Sequence, residues 1–258
     1  PICGHGMQYG VLRKFACRDG AEPVRLNAYV GFDRHRANQD ARYERSSRNF
    51  FSTIRDFGYK VIEKEVKWYK DDEGVWYGKA NADLDMAVDA LLQSENLDRV
   101  LLVTGDGDFI RVVRALQNKG CRVEVIAFEN ISSDLRRETD LFISGYLVPD
   151  LLPNMDNQKQ TAWGEIGSRV RGTCYYYNHM DNFGFMRYLK QIGPLWITDY
   201  RDDSSPYRSV YFNYSQLSNE LIVDDLPSRN RIFEFTLAES ERFEGEFQAK
   251  NIDLVCQQ

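Results

Sequence analysis

Residues 99–104 (RVLLVT) form a near-continuous apolar run, and this run constrains the fold more than any other part of the chain. Such a run is typical of a strand that is buried on both faces of a sheet. A helical pattern at 109–119 follows it, ends at Gly120 and leads into a second apolar run at Arg122–Ala127. Strands that alternate with helices predict βαβ units and therefore a parallel sheet.

The same alternation extends upstream of this unit. The pattern predicts strands at 25–30 and 60–66, and helices at 41–58 and 83–94. Together these segments indicate the α/β class, with a Rossmann-like parallel sheet and flanking helices. We assign this first domain to residues 1–148.

The pattern changes after Val148. Residues 149–163 contain two prolines and a polar stretch, so we predict a linker there. Residues 164–258 show strand-like segments between turn residues and no convincing long helix. This pattern predicts a second domain that is a small all-β barrel.

Composition limits the protein's environment and its mode of binding. No run of eighteen apolar residues is present, which predicts no membrane span. The five cysteines form no C-x-x-C pair and no signal-peptide pattern is visible, so we expect a cytoplasmic protein. The net charge of −6 does not favour nucleic-acid binding through general positive charge. Such binding would need a local patch, aromatic stacking, or metal ions that neutralise carboxylates.

The sharpest local motif is Thr-Gly-Asp-Gly-Asp-Phe at 104–109, which stands where the predicted buried strand ends and a helix begins. Ligands of open parallel sheets bind at the carboxyl ends of the strands. The two carboxylates, Asp106 and Asp108, lie one residue apart, and a divalent cation between them would relieve their repulsion. The alternative is that one of them simply caps the following helix.

A second acidic group occupies the helix predicted at 83–94. Asp85 and Asp89 are four residues apart and share a helix face, while Asp83 opens the helix. One interpretation is a functional acidic face. The other is an N-cap at Asp83 with a solvated face behind it. A further carboxylate, Asp140, precedes the last apolar segment of this domain and is uninformative by itself.

Basic residues are concentrated in the helix predicted at 41–58. Arg42, Arg45 and Arg48 have spacings that share one side of this helix, and such a side can bind phosphates. An ordinary solvent-facing helix explains the same pattern equally well.

Aromatic residues dominate several predicted strands of the second domain. Strand alternation puts Phe183 and Phe185 on one face, and Tyr211 and Asn213 on one face of a later strand. Exposed rings on adjacent strands would form a platform for stacking bases. Alternation also requires that other side chains of these strands belong to the core, which we predict for Met186, Val210 and Phe212.

The first half resembles the NYN domain family, specifically its LabA-like (DUF88) branch, whose members are relatives of PIN-domain ribonucleases. The resemblance covers most of residues 7–148. It implies a PIN-type sheet and an acidic cluster of Asp83, Asp106 and Asp108 that coordinates Mg²⁺ or Mn²⁺ for RNA cleavage. Asp89 and Asp140 are further candidates. The landmarks are Lys79, Asp83-x5-Asp89, the strand ending in Thr-Gly-Asp-Gly-Asp-Phe, Leu116-x3-Gly120 and Asp140-x-Phe142.

One feature departs from this family's pattern. Members open with an apolar strand that ends in Asp-Gly-x-Asn, whose Asp is a metal ligand. Residues 3–6 (Cys-Gly-His-Gly) stand in that register, so Cys3 replaces the Asp and Gly6 replaces the Asn. Either the first strand and its carboxylate are missing from this sequence, or the site is a degenerate copy of the family's site.

The second half is similar to a cold-shock domain, which is a five-stranded OB-fold barrel that binds single strands. The match spans about residues 164–255 and implies two groups of nucleic-acid contacts, Tyr176, Phe183 and Phe185 on the first strands and Tyr211, Asn213 and Tyr214 on the next. Asn213 replaces the histidine that is usual in this family. The landmarks, in order, are residues 172–178, 183–186, 210–215, 232–235 and 245–252.

Two functional hypotheses follow from the sequence. The first is a metal-dependent endoribonuclease whose barrel presents single-stranded RNA, or single-stranded DNA, to the acidic site. The second is a non-catalytic RNA-binding or regulatory protein with a degenerate nuclease site. A nucleotide-binding Rossmann domain is disfavoured because no G-x-G-x-x-G opens a helix after a strand.

Overall fold

The computed structural model describes residues 6–129, 131–154, 161–218, 223–241 and 245–257. The first half alternates helices and strands, as the sequence predicts. Its helices are α1 (Tyr9–Ala16), α2 (Arg34–Gln39), α3 (Ala41–Asp56), α4 (Asp83–Gln93), α5 (Ile110–Asn118) and α6 (Ser133–Glu138). Its strands are β1 (Asn27–Phe32), β2 (Lys60–Glu65), β3 (Lys67–Lys70), β4 (Trp76–Lys79), β5 (Arg99–Val103), β6 (Arg122–Ala127) and β7 (Leu141–Ser144).

The parallel strands are divided between two sheets. Strands β1 and β2 form one parallel pair, and β5, β6 and β7 form a second parallel sheet in that order. The sequence predicts a single sheet, so the division is a correction. Within the described ranges, no strand joins β1 to β5.

A buried core fixes the helices on the three-stranded sheet. Strands β5 and β6 bury Leu102 and Val125, and α5 buries Val113 and Leu116 against them. The partly buried side of α4 packs on the same core. This arrangement explains the apolar runs of the sequence, because β6 is buried along almost its whole length.

Helix α1 connects the two sheets. The hydroxyl of Tyr59, just before β2, donates to the carbonyl of Tyr9 over 3.1 Å. In the turn after α1, the buried Arg18 donates to Glu124 of β6 over 2.5 Å and lies over the ring of Phe15 of α1. Residues of α1 therefore contact both halves of the divided sheet.

Strands β3 and β4 form an antiparallel hairpin that the sequence did not indicate. The hairpin exposes Trp68, Tyr69, Trp76 and Tyr77, and Tyr69 stacks on Tyr77 across the strands. Its attachment to the rest of the domain includes a hydrogen bond of 2.8 Å from the Trp68 indole to Asp33.

Five strands make up the second half: β8 (Arg169–Asn178), β9 (Phe183–Leu189), β10 (Tyr207–Asn213), β11 (Ser228–Glu239) and β12 (Phe247–Gln257). They close into a barrel in the order β10, β12, β11, β8, β9. The pairs are antiparallel except β10 with β12, which is parallel. Met186, Val210 and Phe212 are buried in the barrel core, which confirms their prediction as core residues.

The two halves share a hydrophobic core. Leu151 and Leu152, within the predicted linker 149–163, are buried in it beside Ile143. From the barrel, Leu189, Leu195 and Ile232 belong to the same cluster. The barrel is thus packed directly on the first domain. The division at residues 148 and 164 remains a prediction, and residues 155–160 lie outside the described ranges.

No helix in the described ranges is long and apolar enough to cross a membrane.

Candidate functional site

The predicted acidic turn follows β5 at the carboxyl end of the three-stranded sheet. Asp106 caps a short 3-10 turn that leads into α5, and its Oδ1 accepts a hydrogen bond of 2.9 Å from the Asp108 backbone N–H. A Cβ at Gly107 would lie 2.8 Å from the Ser132 hydroxyl, so the residue between the two carboxylates must be small. The backbone N–H of Ser132 also donates to the carbonyl of Gly105 over 3.0 Å.

The capping role that the sequence left open is present in this turn, and metal binding stays a prediction. Asp106 is a capping residue, yet Asp106 and Asp108 are both exposed to solvent. A shallow depression borders the turn and is lined by Thr104, Asp106 and Glu129 among others. Glu129 lies just after the end of β6. The hydroxyl of Tyr146 donates to its carboxylate over 2.9 Å and fixes its position.

The three acidic residues of α4 have different environments. Asp83 is exposed at the first position of the helix, but the N-cap residue is Ala82, so Asp83 does not cap it. Asp85 forms an ion pair with Lys64 of β2. Asp89 accepts a hydrogen bond of 2.7 Å from the Tyr29 hydroxyl of β1. Asp85 and Asp89 thus connect α4 to the parallel pair of β1 and β2.

The hydrogen bond to Asp89 changes the acidity of Tyr29. Burial of the phenol raises its pKa, and the hydrogen bond to the Asp89 carboxylate raises it further. Tyr29 therefore remains a donor to Asp89 throughout the neutral range.

Asp140 lies away from the acidic turn. Its Oδ2 accepts a hydrogen bond of 2.7 Å from the backbone N–H of Val123, near the start of β6. Because β5, β6 and β7 are parallel, this position is at the amino end of the sheet, whereas Asp106 is at the carboxyl end. The structure does not bring Asp140 together with the other candidates.

Sequence reasoning missed two carboxylates at the carboxyl ends of strands. Asp33 follows β1, caps α2 and accepts hydrogen bonds from the Arg36 backbone N–H and the Trp68 indole. The Arg36 N–H and then the indole hold its pKa below the usual value. Glu129 follows β6. The signal that could have found both is their position directly after a strand of a parallel sheet.

The described residues hold no group of three His, Cys, Asp or Glu side chains placed to bind a metal ion. The register of the expected first-strand Asp falls on residues 3–6, and residues 1–5 lie outside the described ranges.

One of the three arginines on the predicted basic face of α3 has a carboxylate partner. Arg48 lies over the ring of Phe32 and donates to Glu63 over 3.1 Å, so a carboxylate neutralises it. Arg42 and Arg45 are exposed to solvent.

The aromatic residues predicted as a platform form one connected group of rings on β8, β9 and β10. The ring centroids of Phe183 and Tyr211 are 5.8 Å apart, and those of Tyr176 and Phe185 are 6.0 Å apart. Phe183 also contacts Phe185 edge to face at 6.1 Å. Tyr176 is 45% exposed, which leaves an accessible ring at the margin of the group.

Two further predicted contacts lie at the end of β10. Asn213 is opposite Phe183 across the strands, and its side chain accepts a hydrogen bond of 3.0 Å from the Ser215 backbone N–H. Tyr214 is half exposed in the turn that follows. The side chain of Asn213 therefore fixes the turn that carries Tyr214.

The first half is thus an α/β domain of parallel strands with an acidic turn at a carboxyl end. The family model of the NYN domain matches residues 2–152, and the chain belongs to this family. The "Low amplitude and bright protein LabA" of Synechococcus elongatus is 30% identical over 136 residues, which are 52% of this chain and 68% of that protein.

One solved structure is also similar. It is a protein of unknown function from Vibrio parahaemolyticus RIMD 2210633, with 26% identity and a TM-score of 0.46. The match covers 58% of this chain and 83% of that one.

Proposed function

We propose that this protein binds single-stranded RNA on the aromatic face of its barrel. The observation that carries the proposal is the connected group of Tyr176, Phe183, Phe185 and Tyr211 on three adjacent strands. A base stacked on an aromatic side chain contributes about 1–3 kcal/mol. Stacking needs little positive charge, which suits a chain with a net charge of −6.

The proposal includes the type of barrel, an OB-fold of the cold-shock kind. Its support is the pairing order, in which β8, β9 and β10 are consecutive antiparallel strands, β11 pairs with β8, and β12 joins β11 to β10. Oligonucleotides bind OB-folds on the face of the second and third strands. In this barrel those strands are β9 and β10, which carry three of the four rings.

A second candidate function is metal-dependent RNA cleavage. It is favoured by membership of the NYN family and by the exposed pair Asp106 and Asp108 at the end of β5. Asp83, Asp106 and Asp108 would be the ligands of Mg²⁺ or Mn²⁺. The described side chains do not form a three-ligand group, so the arrangement does not fit a complete metal site.

Binding can be tested by fluorescence anisotropy of a labelled single-stranded RNA with the full chain. We expect Tyr176→Leu and Phe183→Leu each to weaken binding by roughly 5- to 150-fold, the equivalent of losing one stacked base. Trp196→Leu is the matched control, because Trp196 is 72% exposed on the barrel but lies outside the ring group. Equal affinity in all four proteins would refute the proposal.

The same RNA distinguishes the second candidate. It is incubated with Mn²⁺ and the wild-type chain, and in parallel with an Asp106→Asn, Asp108→Asn double variant. Cleavage that needs Mn²⁺ and is lost in the double variant would establish the nuclease. Binding without cleavage in either protein would leave an RNA-binding protein on a nuclease-family fold.

A further inference from the structure

A cavity of about 460 Å³ lies between the first domain and the barrel. Strand β7 and the residues after it form one wall. Strands β8, β9, β10 and β11, with the loop around Tyr200, form the other. Its volume is within the range of small-molecule sites, about 300–1,000 Å³.

We propose that this cavity binds one nucleotide unit, with its phosphate on a group of arginines and its base against tyrosine rings. The inference rests on the proposed RNA-binding function and extends it from the barrel face to the domain boundary. The unit could be part of a bound RNA strand or a free mononucleotide, since both offer the same chemistry.

Positive charge is concentrated in this cavity. Three arginines line it, Arg136, Arg187 and Arg229, whereas Asp199 is its one carboxylate among the described lining residues. Three positive charges against one negative leave a local excess of two, although the whole chain carries −6. Asp199 is itself neutralised by Arg201, which donates to it over 2.8 Å from outside the lining.

None of the three arginines forms an ion pair with a described carboxylate. Arg136 donates to the Asn230 side chain over 2.9 Å and lies over the ring of Phe142. Arg187 donates to the carbonyl of Thr198 over 2.7 Å. Arg229 is exposed, and its guanidinium makes no hydrogen bond or ion pair within the described ranges. Many other arginines of this chain have carboxylate partners, so these three are available to an external anion.

Arg187 is fixed in the cavity wall. The Nε of Arg187 is buried and has no hydrogen-bond partner among the described residues. The guanidinium is held in place because it stacks on Tyr207, with its carbon 4.0 Å from the ring centroid.

The rings of the cavity continue those of the proposed RNA platform. Tyr175 lines the cavity, and its ring centroid is 6.4 Å from that of Tyr200 and 6.3 Å from that of Phe185. An irregularity in the pairing of β8 with β9 falls between Cys174 and Tyr176, at Tyr175. An RNA strand whose bases stack on the platform could therefore continue into the cavity along a continuous aromatic surface.

The test uses an Arg136→Gln, Arg229→Gln double variant of the full chain and three probes. These are UMP, a labelled RNA of about four nucleotides and one of about ten, lengths that span the small end of OB-fold site sizes. Arg111→Gln is the matched control, because Arg111 is an exposed arginine on α5, away from the cavity. Circular dichroism checks that each variant is folded.

We expect the double variant to bind the longer RNA about tenfold more weakly, with the affinity for the short RNA unchanged. The slope of log affinity against log salt should fall by about 0.7, because the arginines neutralise the one phosphate of the bound unit. Weakened UMP binding with unchanged RNA binding would support the cavity and identify the free nucleotide as its source. If every probe binds the double variant as it binds Arg111→Gln, the cavity proposal is wrong.

The platform variant separates this result from the proposed function. If Phe183→Leu leaves RNA affinity unchanged, RNA binding on the barrel face is refuted, while the UMP measurement still decides the cavity. If Phe183→Leu weakens both RNAs and the arginine variant weakens none of the probes, the platform stands and the cavity fails.

Discussion

Arg171 donates a hydrogen bond from Nε to Oε2 of Glu234 over 2.8 Å, and both side chains are fully buried in the wall of the barrel. The same guanidinium donates to the carbonyl of Pro153 over 2.6 Å. Arg169 donates from its Nε to the other carboxylate oxygen of Glu234 over 3.0 Å. This buried network therefore binds the segment between the two domains, at Pro153, to the barrel.

The first prediction concerns this network. Arg171→Met should lower the free energy of unfolding by about 3 kcal/mol, because it leaves Glu234 with one partner in a buried site. Urea unfolding followed by circular dichroism measures the change. Arg114→Met is the control, since Arg114 pairs with Glu138 at the surface, where solvent screens the interaction. An equal loss in the two variants would contradict the assigned role of Arg171.

The second prediction separates the two roles of the acidic turn. Asp106→Ala should lower the free energy of unfolding by about 1 kcal/mol, because the cap on the Asp108 N–H is lost. Asp106→Asn keeps an acceptor there and should cost less. Asp108→Ala should change stability little, since its side chain is exposed. Melting temperatures of the three variants test this ranking, and a larger loss for Asp108→Ala would reverse it.

The sequence predicted the buried strands to within a residue or two. Arg122–Ala127 was predicted without error, and the strand predicted at 99–104 ends at Val103. Strand β6 is buried on both faces, whereas β5 fully buries only Val100 and Leu102 on one face, and an apolar run identifies both strands. The hairpin of β3 and β4 is exposed along its whole length and offers no such pattern. Helix α1, which buries Leu12 and Phe15, was not predicted.

The candidate site was predictable only where it depends on local periodicity. Alternation along β9 and β10 was enough to place Phe183, Phe185 and Tyr211 in one group. The position of Asp140 depends on the register of β7 against β6, which no local pattern encodes. The interdomain cavity forms only where the two domains pack together, and local sequence patterns do not encode that packing.

The third prediction concerns how stability changes at acidic pH through Asp33. The pKa of Asp33 is lowered by its hydrogen bonds with Arg36 and Trp68, so the ionised form stabilises the fold. This stabilisation is present above the unfolded-state pKa of about 3.9, and is lost as the pH falls through the lower folded-state value. Asp33→Asn should therefore be less stable than wild type at pH 6, with a smaller difference near pH 3.

Urea midpoints of the two proteins across this pH range measure the effect. Asp56→Asn is a control, because Asp56 is an exposed residue at the end of α3. A stability difference for Asp33→Asn that is constant with pH would show that ionisation of Asp33 does not contribute.

The last prediction concerns Cys174 in the barrel core. Burial raises the pKa of its thiol to about 12, whereas Cys17 and Cys256 are only partly buried. The thiolate is the reactive form, so at pH 8 the Cys174 thiol stays almost wholly protonated in the folded protein. Iodoacetamide should label Cys17 and Cys256 first, and peptide mass spectrometry should find Cys174 modified only when urea unfolds the chain.

The same shift predicts how stability depends on alkaline pH. In the unfolded chain a cysteine ionises near pH 8.5, so the unfolded state loses its proton before the folded state does. The contribution of Cys174 is therefore complete below about pH 8.5 and is lost as the pH rises toward 12. The urea midpoint of wild type should fall from pH 8 to pH 10 more than that of Cys174→Ala. Parallel falls in the two proteins, or rapid labelling of Cys174 in the folded chain, would show that its thiol is accessible to solvent.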